Sequence, residues 1–521
     1  MDDMTLEQQA GQLLIAGFDG PLISDQAREL VKGLNVGGIV LFSSNAENPE
    51  QVSVLTRDLQ QMARIPLLVA ADQEGGIVTR LHTPFTEFPG AMALGAVDDT
   101  GLTRRVAAAM GTEMRAVGIN WDLAPVADLA SYGGGNPAIS VRSFGDSPVR
   151  TAAHVAAFVQ GLTDAGVAAC AKHFPGIGDS TTDPHKTMPI VNTRTDLLAK
   201  REQIPFKSAI AANVATMMPS HIWYADLDPG RSCPATFSST IMTSLLRQQL
   251  GFDGVGITDD LMMGGITERS TPAEAAVSAL AAGCDMVMVC HDLDAQRNTI
   301  AAIASAVRAG AIPRTRFEEA LFRVTNLKRT TAHDRLSLDT VDWKSHQKLA
   351  QKVAFNAATL VHDKSSLLTN ELLAHTIVVV YPQKPELTGV EDSEGPGCTL
   401  SSELQKLGAH VVCVTYGATP DVQDIQKTMA AISSDSIVFL CTINAHRSPQ
   451  QRAFVEILEN KVPSERLLLV ALRDPQDAFL VACGTCAIAL YSQLTVSQRA
   501  FVQHIASGKP YTGVVPIAME A

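Results

Sequence analysis

Residues 254–260, Gly254-Val255-Gly256-Ile257-Thr258-Asp259-Asp260, form a short apolar run that ends on two carboxylates. A run of this length, bounded by glycine, reads as a buried strand rather than a helix. Seven similar runs lie in the N-terminal two-thirds of the chain, at 13–18, 36–42, 66–71, 117–123, 166–172, 214–219 and 284–290. Stretches with helical periodicity separate them, for example at 50–63, 101–116, 150–165, 196–212 and 292–309. Strands alternating with amphipathic helices imply parallel pairing through crossover connections. Eight such units over about 330 residues predict a (β/α)8 TIM-like barrel. An open, doubly wound sheet is the alternative, and the count of eight favours the barrel.

A second α/β series follows. Apolar runs at 376–381, 409–415, 436–442, 466–472 and 486–491, with helical stretches between them, predict a smaller α/β/α sandwich of five strands. The expected division is a barrel over 1–335, a linker over 336–365 and the sandwich over 366–521. A chain of 521 residues is long enough for two such domains.

Composition narrows the function. Forty-one Lys and Arg against 54 Asp and Glu leave a net charge of −13, which disfavours a nucleic-acid partner. Hydrophobic residues reach 46% and charged residues only 18%, the balance of a chain with large cores. No apolar run approaches the roughly 20 residues that cross a bilayer, so no membrane partner is expected. The first residues, Met1-Asp2-Asp3-Met4, are acidic and do not resemble a signal peptide. Nine cysteines, an odd number placed mostly in apolar runs, add to the expectation of a reduced, cytoplasmic protein. The Cys483-Gly484-Thr485-Cys486 spacing reads as core rather than as a redox motif, because it leads into an apolar run instead of opening a helix.

Barrel active sites lie at the C-terminal ends of the strands. The runs end there in Asp72, Asp122, Lys172-His173, His221, Asp259-Asp260 and His291, a concentration of ionisable groups that packing alone does not explain. Beyond Lys172 the chain reads Lys172-His173-Phe174-Pro175-Gly176-Ile177-Gly178-Asp179-Ser180-Thr181-Thr182-Asp183-Pro184-His185, rich in turn formers and without periodicity. Asp183 and His185 stand two residues apart, so the carboxylate is able to orient the imidazole for acid–base work. The set His173, Asp183 and His185 matches no standard metal spacing, and no metal is expected. Trp121 is equally a sugar platform or a packing residue. Lys172 at a strand end also admits a Schiff-base lyase.

The loop resembles the signature of glycoside hydrolase family 3 β-N-acetylglucosaminidases, Lys-His-Phe-Pro-Gly-x-Gly followed by Asp-x-His. Asp72-Gln73-Glu74-Gly75-Gly76 with Arg80, Asn136-Pro137 with Arg142-Ser143-Phe144-Gly145, and Thr258-Asp259-Asp260-Leu261 resemble further motifs of that family, in the same order. The resemblance covers nearly all of residues 5–330. It implies a retaining exo-β-N-acetylglucosaminidase that acts without a cofactor on an oligosaccharide or glycoconjugate containing N-acetylglucosamine. Under it Asp259 is the nucleophile, and His185, oriented by Asp183, is the general acid/base. Asp72, Arg80, Arg142, Lys172 and His173 bind the sugar. Asp260 is expected to be structural, with Glu74 and Asp179 as reserve proton donors. Pro184, Val141 and Ile77 depart from the usual residues of the family, the last two removing polarity near the leaving-group side or the residues just behind it. A phosphorylase using phosphate in place of water is the alternative, and a non-catalytic sugar-binding protein a remote one. The natural aglycone and the oligomeric state are not legible in the sequence.

Overall fold

The computed structural model describes residues 4–130, 136–177, 180, 183, 188–230, 232–333, 335–363, 367–383, 390–391 and 397–518. Eight parallel strands close into a barrel: β1 (Leu14–Ala16), β2 (Gly38–Leu41), β3 (Leu68–Ala71), β4 (Trp121–Asp122), β5 (Ala168–Phe174), β6 (Thr216–Pro219), β7 (Val255–Asp260) and β8 (Met286–Val289). Each strand pairs with its neighbour in sequence, and β1 closes the ring on β8 through the register Leu14↔Val287. All eight expected runs are strands of this barrel, and the open-sheet alternative falls because β1 pairs with both β2 and β8. The strands are buried and aliphatic, as strands covered on both faces must be.

The helices follow the same logic. Pro49–Met62 carries Asn48 as its N-cap and Pro49 at its first position; Pro148–Asp164 is started by Ser147 and Pro148 in the same way. In both, a cap side chain accepts an orphan N–H and proline supplies a pre-set φ. Each buries its apolar stripe against the strands, through Val52, Leu55 and Leu59 in the first and Val155, Phe158 and Leu162 in the second.

The second sheet has six strands: β9 (Thr359–His362), β10 (Thr376–Pro382), β11 (His410–Tyr416), β12 (Ile437–Thr442), β13 (Leu467–Ala471) and β14 (Cys486–Ala489). Their order is β9-β14-β13-β12-β10-β11, all parallel except β9, which runs antiparallel to β14. The sixth strand comes from the stretch expected as linker, residues 336–365, which also holds the helix Trp343–Ala357. Apolar clusters line both faces of the sheet. The one containing Val378, Val380 and Leu440 continues into the barrel through Met92, Ala93, Ala96 and Val141, with Ile77 packed against it. Ile77 and Val141 are therefore parts of the contact between barrel and sandwich. Among the described residues no helix is long and apolar enough to cross a membrane.

Candidate active site

At the C-terminal mouth of the barrel, β3 leads into Asp72-Gln73-Glu74-Gly75-Gly76. Gly75 (φ 79°) and Gly76 (φ 66°) both take the left-handed conformation, so the chain turns back at once into the short ribbon that carries Arg80. Gln73 fixes the turn: its Oε1 accepts the N–H groups of Arg80 and Leu81, while its own N–H donates to Asp122 at 3.0 Å.

Lys172, near the end of β5, is the centre of the charge network. Its Nζ donates to Asp72 Oδ1 at 2.6 Å and lies 2.7 Å from Glu74 Oε1. Arg142 grips both oxygens of Glu74 at 2.8 Å and donates to the Ala138 carbonyl at 2.6 Å. Arg80 closes the set at 3.5 Å from Asp72 Oδ2. Gly95 makes this possible from below: a Cβ there would meet the Phe144 carbonyl oxygen at 1.8 Å, so only glycine lets the turn bearing Arg142 approach.

Burial alone would raise the Glu74 carboxyl, but Arg142 and Lys172 outweigh it and hold the group well below the usual carboxylate range. Glu74 is thus a fixed anion and a poor reserve proton donor. Burial and Arg142 would lower the Lys172 ammonium, but the Asp72 and Glu74 carboxylates outweigh them and hold it above its ordinary value, the opposite of what a Schiff-base lysine needs. Burial pushes the Asp122 carboxyl well up, although it accepts the backbone N–H of Gln73.

His173 links this network to β7. Its Nε2 lies 4.0 Å from Asp259 Oδ2, and its Nδ1 is 2.7 Å from Asp128 Oδ2. Asp128 is fully buried and also accepts the N–H groups of His173 at 3.0 Å and Ile177 at 2.8 Å. A carboxylate at this distance accepts a hydrogen bond from Nδ1–H, which fixes the tautomer and turns Nε2 toward the mouth. Asp259, a quarter exposed in its side chain, accepts the N–H of Asp260 at 2.8 Å. Asp260 instead serves the backbone, accepting from Met262 at 3.1 Å and Cys290 at 3.3 Å.

Six of the eight candidate residues therefore converge: Asp72, Arg80, Arg142, Lys172 and His173 with Asp259. Asp183 is buried, whereas His185 and Asp179 lie outside the described residues. Lys172 and His173 sit within β5, two residues and one residue before its end, rather than at the start of a loop. Trp121 is fully buried with its Nε1 donating to Thr216 Oγ1 at 3.0 Å, a packing residue and not a sugar platform. His291 is exposed at the rim, while His221 is buried against Thr236 and the Asp260 carbonyl. Cys483 is exposed and Cys486 buried, both as free thiols.

Sequence reasoning passed over Asp128. It follows Val126-Ala127, an apolar pair ending in a carboxylate, but Pro125 reads as the end of the strand. In fact Val126 still bridges to Lys172 beyond β4. Among the described residues no group of three or more potential ligands is placed to hold a metal ion.

The model of the glycosyl hydrolase family 3 N-terminal domain matches residues 5–327. The fold superposes with a TM-score of 0.93 on a glycoside hydrolase family 3 β-N-acetylglucosaminidase from Paenibacillus, 33% identical, with 99% of each chain covered. A β-hexosaminidase of Thiobacillus denitrificans is 37% identical over 287 residues, 54% of this chain and 78% of its own length. A β-hexosaminidase A of Pseudoalteromonas piscicida is 32% identical over 395 residues, 70% of this chain and 66% of its own.

Proposed function

Because the chain belongs to glycosyl hydrolase family 3 and is a glycosidase, we propose that it removes terminal β-linked N-acetylglucosamine with retention of configuration. The observation that carries this reading is the approach of Asp259 to His173, 4.0 Å, beside the network of Asp72, Lys172, Glu74, Arg142 and Arg80. Fixed charges of both signs suit the hydroxyls of one sugar ring, and a carboxylate at a barrel-strand end suits attack on its anomeric carbon. Relatives bearing the names β-hexosaminidase and β-N-acetylglucosaminidase support the choice of sugar.

In this mechanism an Asp259 oxygen bonds to the anomeric carbon while the bond to the leaving oxygen breaks. His185, oriented by Asp183, supplies the proton that the leaving oxygen takes. The same histidine then removes a proton from water, whose oxygen displaces Asp259 and restores the β configuration. No metal or cofactor enters these steps. A cytoplasmic location belongs to the same proposal, supported by the odd number of cysteines, nine.

A chromogenic β-N-acetylglucosaminide, assayed with and without phosphate, tests the reading. Hydrolysis independent of phosphate is expected, and Asp259→Ala should abolish it with the fold retained. A sugar phosphate formed only with phosphate present would replace hydrolysis by phosphorolysis. No turnover by the wild-type protein, or more than a few per cent activity in Asp259→Ala, would overturn the proposal.

A further inference from the structure

We propose that the Arg473-Asp474 corner of the second domain positions two arginines of the barrel's sugar site, Arg80 and Arg142, so that substrate binding depends on both domains.

The corner follows β13, at the C-terminal edge of the sandwich sheet, and both residues are only 1% exposed. One arm starts at Arg473. Its guanidinium grips Glu391 with two bonds, 2.6 and 3.1 Å, and its Nε donates to Gln493 at 3.0 Å. A fork-to-fork pair of this kind fixes direction as well as distance. Glu391 is thereby pinned, and the preceding carbonyl, Val390 O, accepts from Arg80 Nη1 at 2.9 Å. The same guanidinium faces Asp72 Oδ2 at 3.5 Å and stacks 5.6 Å from the Phe42 ring centroid. Arg80 is thus held between a barrel carboxylate and a carbonyl of the second domain.

The other arm starts at Asp474. Its Oδ1 accepts the Ser140 hydroxyl, while Oδ2 is held by Arg447 Nε at 3.3 Å. Ser140 opens the short turn Ser140–Arg142 with φ 43°, a left-handed conformation that a residue other than glycine adopts only at a cost. The bond to Asp474 secures that conformation, and two residues later Arg142 reaches Glu74. The two arms leave adjacent residues of one domain and end on the two arginines that flank the Asp72–Lys172–Glu74 network of the other.

Stability alone is a weak reason for this arrangement. Burying an ion pair such as Arg473–Glu391 costs desolvation that attraction often fails to recover. What such a pair supplies well is a fixed geometry, and here the geometry is delivered to Arg80. Arg473, Asp474, Glu391 and Ser140 act through the arginines, so they are positioning residues.

This inference rests on the proposed sugar-binding role of Arg80 and Arg142, so its test reads binding as well as turnover. Arg473→Met and Ser140→Ala are assayed by KM and kcat on a chromogenic β-N-acetylglucosaminide, and by calorimetric Kd for free N-acetylglucosamine. Each is expected to raise KM and Kd about tenfold while kcat changes less than about threefold, the mark of lost uniform binding. Added to Arg80→Ala, Arg473→Met should cost nothing further, because its arm ends on Arg80. If Arg473→Met does not fold, Glu391→Gln breaks the same arm with nearly unchanged shape. Wild-type protein that binds the sugar without turning it over would defeat the proposed function, while Kd would still read the positioning. Lower melting temperatures with unchanged KM and Kd would overturn the inference. So would an equal effect of Arg473→Met with and without Arg80, or no binding of the sugar by the wild type.

Discussion

Asp128 shows how one buried carboxylate governs a site from behind. Its three accepted hydrogen bonds tie down the His173 ring, the His173 backbone and the turn at Ile177. Replacing it with Asn leaves the shape but removes the charge that fixes the Nδ1 proton. A hydrogen bond to a charged group is worth about 1.5–3 kcal/mol, so Asp128→Asn should lower kcat/KM by about 10–100-fold. Steady-state kinetics, with the His173 ring protons followed by NMR, checks this; full activity would free His173 from any dependence on Asp128. His185 carries the proposal's other proton. General acid help is worth about 10²–10⁴ in rate and matters most for a poor leaving group. His185→Ala should therefore cripple cleavage of a disaccharide but barely slow the first step with a dinitrophenyl glycoside, giving a burst and then slow turnover. Azide should speed that variant and yield the β-azide. Equal losses on both substrates, with no burst and no azide response, would remove His185 from the acid/base role.

At the scale of elements, local sequence rules explain both the agreements and the breaks. The periodic stretch 196–212 reads as one helix, yet the chain forms Thr195–Lys200 and Gln203–Ala211. Pro205 has no N–H to give the Arg201 carbonyl, so a continuous helix would lose that bond, while proline is tolerated in the first turn of a new one. The helix Arg314–Thr330 brings an unusual group with it. Lys328 is buried, its Nζ donating to Gln12 Oε1 at 2.7 Å, and burial pushes its ammonium down from 10.5 to about 7. Below about pH 7 both folded and unfolded states carry the charge, and the buried ammonium exacts its full desolvation cost. Between about 7 and 10.5 the unfolded state binds more protons, so stability from this group rises with pH. Relative to Lys328→Met, the wild-type melting temperature should rise as the pH goes from 7 toward 10.5. A constant difference between the two proteins across that range would show that Lys328 keeps an ordinary pKa.

At the scale of the whole molecule, the barrel and the sandwich share an apolar cluster and several hydrogen bonds. Met92, Ala93, Ala96 and Val141 pack with Val378, Val380 and Tyr491 in one buried group. The C-terminal segment adds backbone bonds from Val514 N–H to Ala96 O at 3.0 Å and from Asp146 N–H to Pro516 O at 3.3 Å. Domains joined by a continuous apolar core lose both folds together when it opens. Calorimetry is therefore expected to give one cooperative transition for the full chain. Two well-separated transitions would show that the shared cluster does not couple the domains.

The barrel was legible because each of its eight strands lies in a mainly apolar run, as burial on both faces requires, with most charged residues gathered near the strand ends. The neighbourhood of Asp72, Lys172, Arg142 and Asp259 was legible too, since strand ends must meet at one mouth once the ring closes. Strand β9 was not, because Thr359-Leu360-Val361-His362 is short and half polar, and only pairing with β14 makes it a strand. Asp128 was hidden by Pro125, whose missing N–H breaks the strand pattern though the chain continues alongside β5. Nor does any local pattern connect Arg473 to Arg80 or Asp474 to Ser140, which are separated by hundreds of residues. Periodicity and spacing record what each segment must bury, and so they determined the barrel, the sandwich and the rim. Which buried charge meets which depends on how two finished domains press together, and tertiary structure alone decided that.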